Sequence, residues 1–221
     1  MAVNPAPTQP SAVPACFIFG AGPFYGLDDI PAPGDLILAA DGGYQHCCIA
    51  GLQPNLLLGD FDSLEVPPPQ DIPRQVFPPE KDDTDTMLAV KLGLERGFRR
   101  FHLYGGTGGR LDHTLANLQT LAYLAKAGAR GELHDESFVF TAIQGPDRLQ
   151  LPSQAAGLFS VFCLGADAAG VSIQGGKYEA KGVTLTAAFP LGVSNQFRGE
   201  PVVVSVDSGC LLVGWERRST P

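Results

Sequence analysis

Leu56-Leu57-Leu58-Gly59-Asp60-Phe61-Asp62-Ser63 sets a short apolar run directly before two carboxylates spaced one residue apart. A run of that length closed by Gly reads as a buried strand, and open α/β sheets place their ligands at the carboxyl ends of such strands. A turn is the competing reading, because Gly, Asp and Ser are all common turn formers. The balance moves toward a site because acidic or glycine-rich loops recur at equivalent points along the chain.

Upstream, Ala15-Cys16-Phe17-Ile18-Phe19 is a buried strand ended by the tight loop Gly20-Ala21-Gly22-Pro23. Asp35 to Ala40 is a second strand, closed by Asp41-Gly42-Gly43, and a helix runs from about Tyr44 to Gly51. Downstream, Arg74 to Phe77 reads as a strand. Met87, Val90, Leu94 and Phe98 then recur at helical steps of three and four after Lys81-Asp82-Asp83-Thr84-Asp85. Arg100 to Tyr104 is the next strand, and it enters Gly105-Gly106-Thr107-Gly108-Gly109-Arg110. Leu111, Leu115, Leu118, Ala122 and Ala125 form a further helical stripe that ends at Gly128.

This alternation to Ile143 predicts an α/β fold: a Rossmann-like, mainly parallel sheet with helices on both faces over residues 15–143. After Gln144 the pattern changes. Leu158 to Cys163, Val183 to Thr186 and Pro201 to Val206 are short β-rich runs between turn residues, which predicts an all-β sandwich domain over 144–221. Residues 1–14, rich in Ala and Pro without positive charge or an apolar core, read as a disordered tail and not a signal peptide.

Composition narrows the class. Of 221 residues 44% are apolar, ordinary for a globular protein, and the net charge of −8 argues against a general nucleic-acid or anionic-membrane surface. No run approaches the ~18 apolar residues of a membrane span. Five cysteines without C-x-x-C spacing fit core packing in a reducing compartment, so a cytoplasmic location is expected.

Four loops therefore follow four strands: Asp41-Gly42-Gly43, Gly59 to Ser63, Asp82 to Asp85, and Gly105 to Asp112. In a parallel sheet those loops share one edge. Their carboxylates suit magnesium, a hard ion held by a few carboxylates together with substrate phosphates and water. One of Asp82, Asp83 and Thr84 is expected to cap the Met87 helix. The Gly105 to Arg110 loop supplies small residues, a helix N-terminus and a cation, the ingredients of a phosphate cradle. It is neither a P-loop nor a G-x-G-x-x-G fingerprint. His46 and His102 read as structural, whereas His113 stands beside the glycine loop.

Taken with Asn117, Ser194-Asn195 and Gly209-Cys210-Leu211-Leu212, these motifs resemble the thiamine pyrophosphokinase family, in order and spacing, over nearly all the chain after the tail. The resemblance implies diphosphate transfer from MgATP to the hydroxyethyl group of thiamine, in a homodimer with thiamine bound between one subunit's α/β domain and the other's sandwich. It implies Asp60, Asp62 and Asp85 as magnesium ligands with Asp41 and Asp112 close by. Phosphate contacts would come from Gly42, Gly43, Lys81, Gly105, Gly106, Thr107, Gly108, Gly109, Arg110 and His113, and Ser194 and Asn195 would face thiamine. Asp112 would accept the hydroxyl proton or orient the aminopyrimidine. A pterin-type diphosphokinase and a magnesium-dependent nucleotide hydrolase are the alternatives.

Overall fold

The structure, a computed structural model, describes residues 13–59, 68–77 and 82–217. The expectations for the tail to residue 12 and for Asp60, Asp62 and Lys81 fall outside the described residues.

Strands β1 (Cys16–Phe19), β2 (Leu36–Ala40), β3 (Leu56–Gly59), β4 (Arg74–Val76), β5 (Arg100–Tyr104) and β6 (Arg130–His134) pair in parallel in the order β6-β5-β1-β2-β3-β4. Helix α1 (Gly43–Ile49) follows β2, α2 (Asp85–Glu95) follows β4 and α3 (Leu111–Lys126) follows β5. The period-two alternation of the strands sorts their side chains onto two faces. Cys16, Ile18, Leu38, Leu58, Phe101, Leu103 and Leu133 pack with Ala89 and Val90 of α2 and Leu121 and Leu124 of α3. Phe17, Phe19, Ala39, Leu57 and Tyr104 face the other way, against Tyr44 and Cys47 of α1.

The sheet does not stop at β6. Strand β7 (Phe138–Gln144) turns back antiparallel on β6, and β14 (Cys210–Glu216), β9 (Leu158–Cys163) and β12 (Gly192–Gln196) extend the same sheet to ten strands. Sequence periodicity carried the strand and helix alternation through Ile143, but Arg130 to Gln144 is a β-hairpin with no crossover helix. Its short connection, Asp135 to Ser137, forces antiparallel pairing because a parallel return needs a longer one. Gln144, the residue after which the β region was expected to begin, is thus the last residue of a strand shared by both parts of the sheet.

Strands β8 (Asp147–Gln150), β10 (Ala168–Gln174), β11 (Ala180–Leu185) and β13 (Val203–Val206) form a second sheet in the order β11-β10-β13-β8. Val139, Ile143, Phe159, Val161, Leu211, Val213 and Trp215 of the large sheet meet Val171, Ile173, Val204 and Val206 of the small one. The C-terminal part is β-rich as expected, but its apolar layer draws on Val139 and Ile143, upstream of residue 144, because one of its two sheets continues the α/β sheet. Alternate residues of β14, Cys210 and Leu212, go instead to the α2 and α3 side.

Candidate functional site

The chain runs outward from β1 in both directions, toward β4 on one side and β6 on the other, so the carboxyl ends of β1 and β5 flank a switch point in strand order. There the loops after the two strands touch. Gly20 N–H donates to Tyr104 O at 2.8 Å and Gly22 N–H to Gly105 O at 2.8 Å. Gly105 has φ +66°, and a Cβ on it would fall 2.4 Å from the Gly20 carbonyl oxygen, so only glycine permits this approach.

A cavity of about 350 Å³ opens at this junction. Ala21, Gly22 and Pro23 form one wall, Thr86 in the first turn of α2 another, and Gly105, Gly106, Thr107, Gly109 and Arg110 the floor and rim. His113, Thr114 and Asn117 of α3 close it. The first turn of a 16-residue helix thus borders the cavity, and the positive end of its dipole favours an anion there, with the Asp112 carboxylate accepting from His113 N–H at 3.0 Å.

Buried hydrogen bonds hold the glycine loop in place. Asn117 donates through Nδ2 to Gly106 O at 2.8 Å, and Thr107 donates through Oγ1 to Asp135 at 2.5 Å. Arg110 forms a forked pair with Asp112, Nε to Oδ1 at 3.2 Å and Nη2 to Oδ2 at 2.6 Å. The pair lowers the Asp112 pKa and raises that of Arg110. Both side chains are exposed, 73% and 64%, so a ligand can compete for the guanidinium without a desolvated partner being left behind.

The acidic loops fare differently. Thr84 is the N-cap of α2, its Oγ1 accepting from Met87 N–H at 3.2 Å, as expected of that trio. Asp83 pairs with Lys91 Nζ at 2.6 Å, and Asp85 sits half-buried in the first turn of α2, one residue before the cavity-lining Thr86. Asp41 adopts φ +47° at the end of β2, and its carboxylate packs against the Cα of Gly59, the residue preceding Asp60. Gly42 is the N-cap of α1. Gly43 lies so close to β1 that a Cβ would overlap the Phe19 carbonyl oxygen, a packing demand in addition to any ligand contact.

Gly105, Gly106, Thr107, Gly109, Arg110 and His113 are therefore brought to one cavity, while Gly108 turns away at φ +75° beside the Tyr25 hydroxyl. Ser194 and Asn195 are not part of it. They lie on β12, five strand spacings from β5 and so on the order of 24 Å across the sheet. Asn195 is buried; its Oδ1 accepts from Tyr178 and Gln196 N–H and its Nδ2 donates to Tyr178 O at 2.6 Å. Exposed Ser194 takes φ +59°.

Sequence reading left out Ala21, Gly22, Pro23, Thr86 and Thr114. The Gly-x-Gly-Pro closing the first strand was the available signal, but its neighbour across the switch point is set by strand order.

Residues 30–131 match the family described as thiamin pyrophosphokinase, catalytic domain, and residues 148–211 match thiamin pyrophosphokinase, vitamin B1 binding domain. A thiamine pyrophosphokinase of Bacillus subtilis is 34% identical over 106 residues, a match that spans 46% of this chain and half the length of that relative. The crystal structure of thiamine pyrophosphokinase from Bacillus subtilis superposes with TM-score 0.81 at 24% identity, covering 92% of this chain and 99% of that one. That of thiamin pyrophosphokinase from Geobacillus thermodenitrificans gives TM-score 0.78 at 27% identity, covering 93% and 99%. Two family matches, placed in order on the two halves of a fold shared end to end with these structures, establish that the chain belongs to the thiamin pyrophosphokinase family.

Proposed function

We propose that the protein transfers diphosphate from ATP to the hydroxyethyl group of thiamine, releasing AMP. The observation that carries this reading is the cavity at the β1/β5 switch point, where glycine backbone, the start of α3 and Arg110 converge. Phosphoryl-type transfer depends mainly on positioning and charge neutralisation, and those are the properties this cavity offers. The Gly105 to Gly109 backbone and α3 N–H groups would seat the polyphosphate. Arg110 would turn from Asp112 to its oxygens, and Asp112, released from that pair, would be the carboxylate at hand for the hydroxyl proton.

Magnesium fits the donor chemistry. Asp41 rests against Gly59 beside the Asp60 and Asp62 segment, and Asp85 adjoins the cavity wall, so the carboxylates at this sheet edge offer hard oxygen ligands. Asp60, Asp62 and Asp85 would hold the ion, with Asp41 close by. When bound, magnesium supplies charge neutralisation to the phosphates.

The thiamine half of the site is proposed to come from a second subunit. Ser194 on β12 is too distant from Arg110 within one chain, whereas two exposed apolar patches suit a dimer contact. Leu111 and Leu115 of α3 are 71% and 55% exposed beside the cavity, and Phe189 and Leu191 before β12 are 65% and 64% exposed. Apposing those patches in a two-fold dimer would bring β12 of one subunit to the cavity of the other. The division at Gln144 into a nucleotide half and a thiamine half accords with this arrangement, because one family match ends at residue 131 and the next begins at 148.

The test is incubation with MgATP, with and without thiamine, followed by chromatography of AMP and thiamine diphosphate. AMP formed only with thiamine, in equal amount to thiamine diphosphate, is expected. AMP or ADP released without thiamine would replace this reading with a nucleotide hydrolase, and turnover only with a pterin alcohol would replace the acceptor.

A further inference from the structure

On the sheet face opposite α2 and α3, between α1 and the small sheet, the apolar layer is interrupted by His102 of β5 and Glu132 and His134 of β6. The β1 to β2 connection crosses above them and contributes Asp28 and Asp29. Facing ligand-type atoms of Asp29, His102, Glu132 and His134 all lie within 4.8 Å of one another. His102 Nδ1 is 3.3 Å from His134 Nε2, 3.4 Å from Asp29 Oδ2 and 3.7 Å from Glu132 Oε2, and His134 Nε2 is 4.0 Å from Glu132 Oε2. Tetrahedral zinc with bonds near 2.0–2.1 Å has ligand edges of about 3.3–3.4 Å, so the two shortest separations already match and the wider ones, all within 4.8 Å, would draw in on the ion.

The proton count points the same way. His134 Nδ1 is 2.6 Å from Asp28 Oδ2, an acceptor, so the ring carries its hydrogen there and Nε2 presents a lone pair into the cluster. Asp28 is in turn gripped by Arg217 through Nε at 3.0 Å and Nη2 at 2.6 Å. Nε2 of His134 and carboxylate oxygens of Asp29 and Glu132 converge on His102 Nδ1. Donor atoms from four side chains thus converge on one point, the arrangement that a bound cation requires.

We propose that Asp29, His102, Glu132 and His134 form a zinc site, separate from the magnesium carboxylates, with Asp28 and Arg217 fixing the orientation of His134. Two imidazoles and two carboxylates are a borderline donor set that suits zinc over magnesium, and a carboxylate behind a histidine ligand is the usual supporting shell of such a centre. The rings are held by stacking, Phe17 on His102 at 4.7 Å and Tyr104 on His134 at 4.3 Å. Asp29, half exposed, leaves a route for the ion. The site ties the β1 to β2 connection, whose Ala21 to Pro23 line the cavity, to β6, whose following residue Asp135 anchors Thr107. Its role is to hold two walls of the cavity in register.

Metal content decides this independently of turnover. The untagged full chain is expected to carry about one zinc by mass spectrometry, and the chelator-stripped protein titrated with cobalt should show the intense visible bands of a tetrahedral centre. Asp29→Asn, at an exposed position, and the double variant His102→Ala/His134→Ala should lose those bands. Asp28→Asn should weaken zinc affinity by about 10- to 100-fold, and Cys48→Ala should bind as the parent does. A folded parent chain with neither zinc nor a tetrahedral cobalt spectrum overturns the proposal, as does unchanged affinity in Asp29→Asn together with the double variant.

Discussion

Arg110 is the cavity residue whose charge is most readily redirected, because its partner Asp112 is equally exposed and sits on the same turn. Arg110→Ala is expected to lower kcat/KM for diphosphate transfer by about 10²- to 10³-fold, the range for removing one preorganised donor from a developing charge. Arg110→Lys should restore only part of it, since an ammonium lacks the planar fork. Steady-state kinetics of AMP formation reads both; activity within a few-fold of the parent in Arg110→Ala would remove Arg110 from the phosphate site. His46 gives a second test. It lies in α1 under the stacked Phe24 ring, and burial lowers its pKa from 6.5, with the Gly20 backbone opposing less strongly. Below the unfolded value the unfolded chain then binds the proton that the native chain refuses, so this contribution is complete above pH ~6.5 and is lost as pH falls through it. His46→Gln is expected to lose less stability than the parent between pH ~7.5 and ~5.5 in denaturant titrations. Parallel curves would contradict the assignment.

Helix α2 shows how one element serves both fold and site. Thr84 caps it, Ala89 and Val90 bury its inner face, and the same first turn carries Asp85 and places Thr86 in the cavity wall. Thr84→Ala removes the acceptor for Met87 N–H and is expected to destabilise the protein by about 0.5–2 kcal/mol, visible as a lower urea midpoint. Fraying of that turn should also raise KM for MgATP, whereas Thr84→Ser should keep both stability and KM. A variant with normal stability would show that the cap is redundant. The helix period in the sequence located α2 and α3 correctly, since Val90 and Leu94, like Leu118, Ala122 and Ala125, recur on the face that packs into the core. It also included Leu111 and Leu115, which the structure leaves exposed at the start of α3. Periodicity reports which residues share a face, and the covering of that face depends on what lies beyond the helix.

For the molecule as a whole, the ten-stranded sheet joins the two halves of the chain, and strand order sets edge strand β12 five strand spacings from β5 at the cavity. The proposed shared site would draw on two chains. Phe189→Glu combined with Leu191→Glu places two charges on the exposed patch before β12 and is expected to shift sedimentation from dimer toward monomer. It should also reduce thiamine-dependent AMP formation by at least about tenfold while leaving the far-UV circular dichroism unchanged. A variant that sediments and turns over as the parent does would separate the patch from assembly.

The sequence by itself determined the strands up to β5, the helices between them, the capping trio at Thr84 and the Gly105 to Arg110 loop, because hydrophobic period, capping chemistry and turn residues are local properties. It also carried the family motifs that the two matched segments bear out. Only the tertiary structure decided that β6 and β7 form a hairpin joining the two parts of one sheet, and that Gly22 lies on Gly105. It likewise decided that Asn195 spends its amide on Tyr178 and that His102 and His134, 32 residues apart, face one point with two carboxylates. Those outcomes depend on strand order and on which residues alternate onto a shared face, and two strands distant in the chain acquire that relation only when the sheet forms.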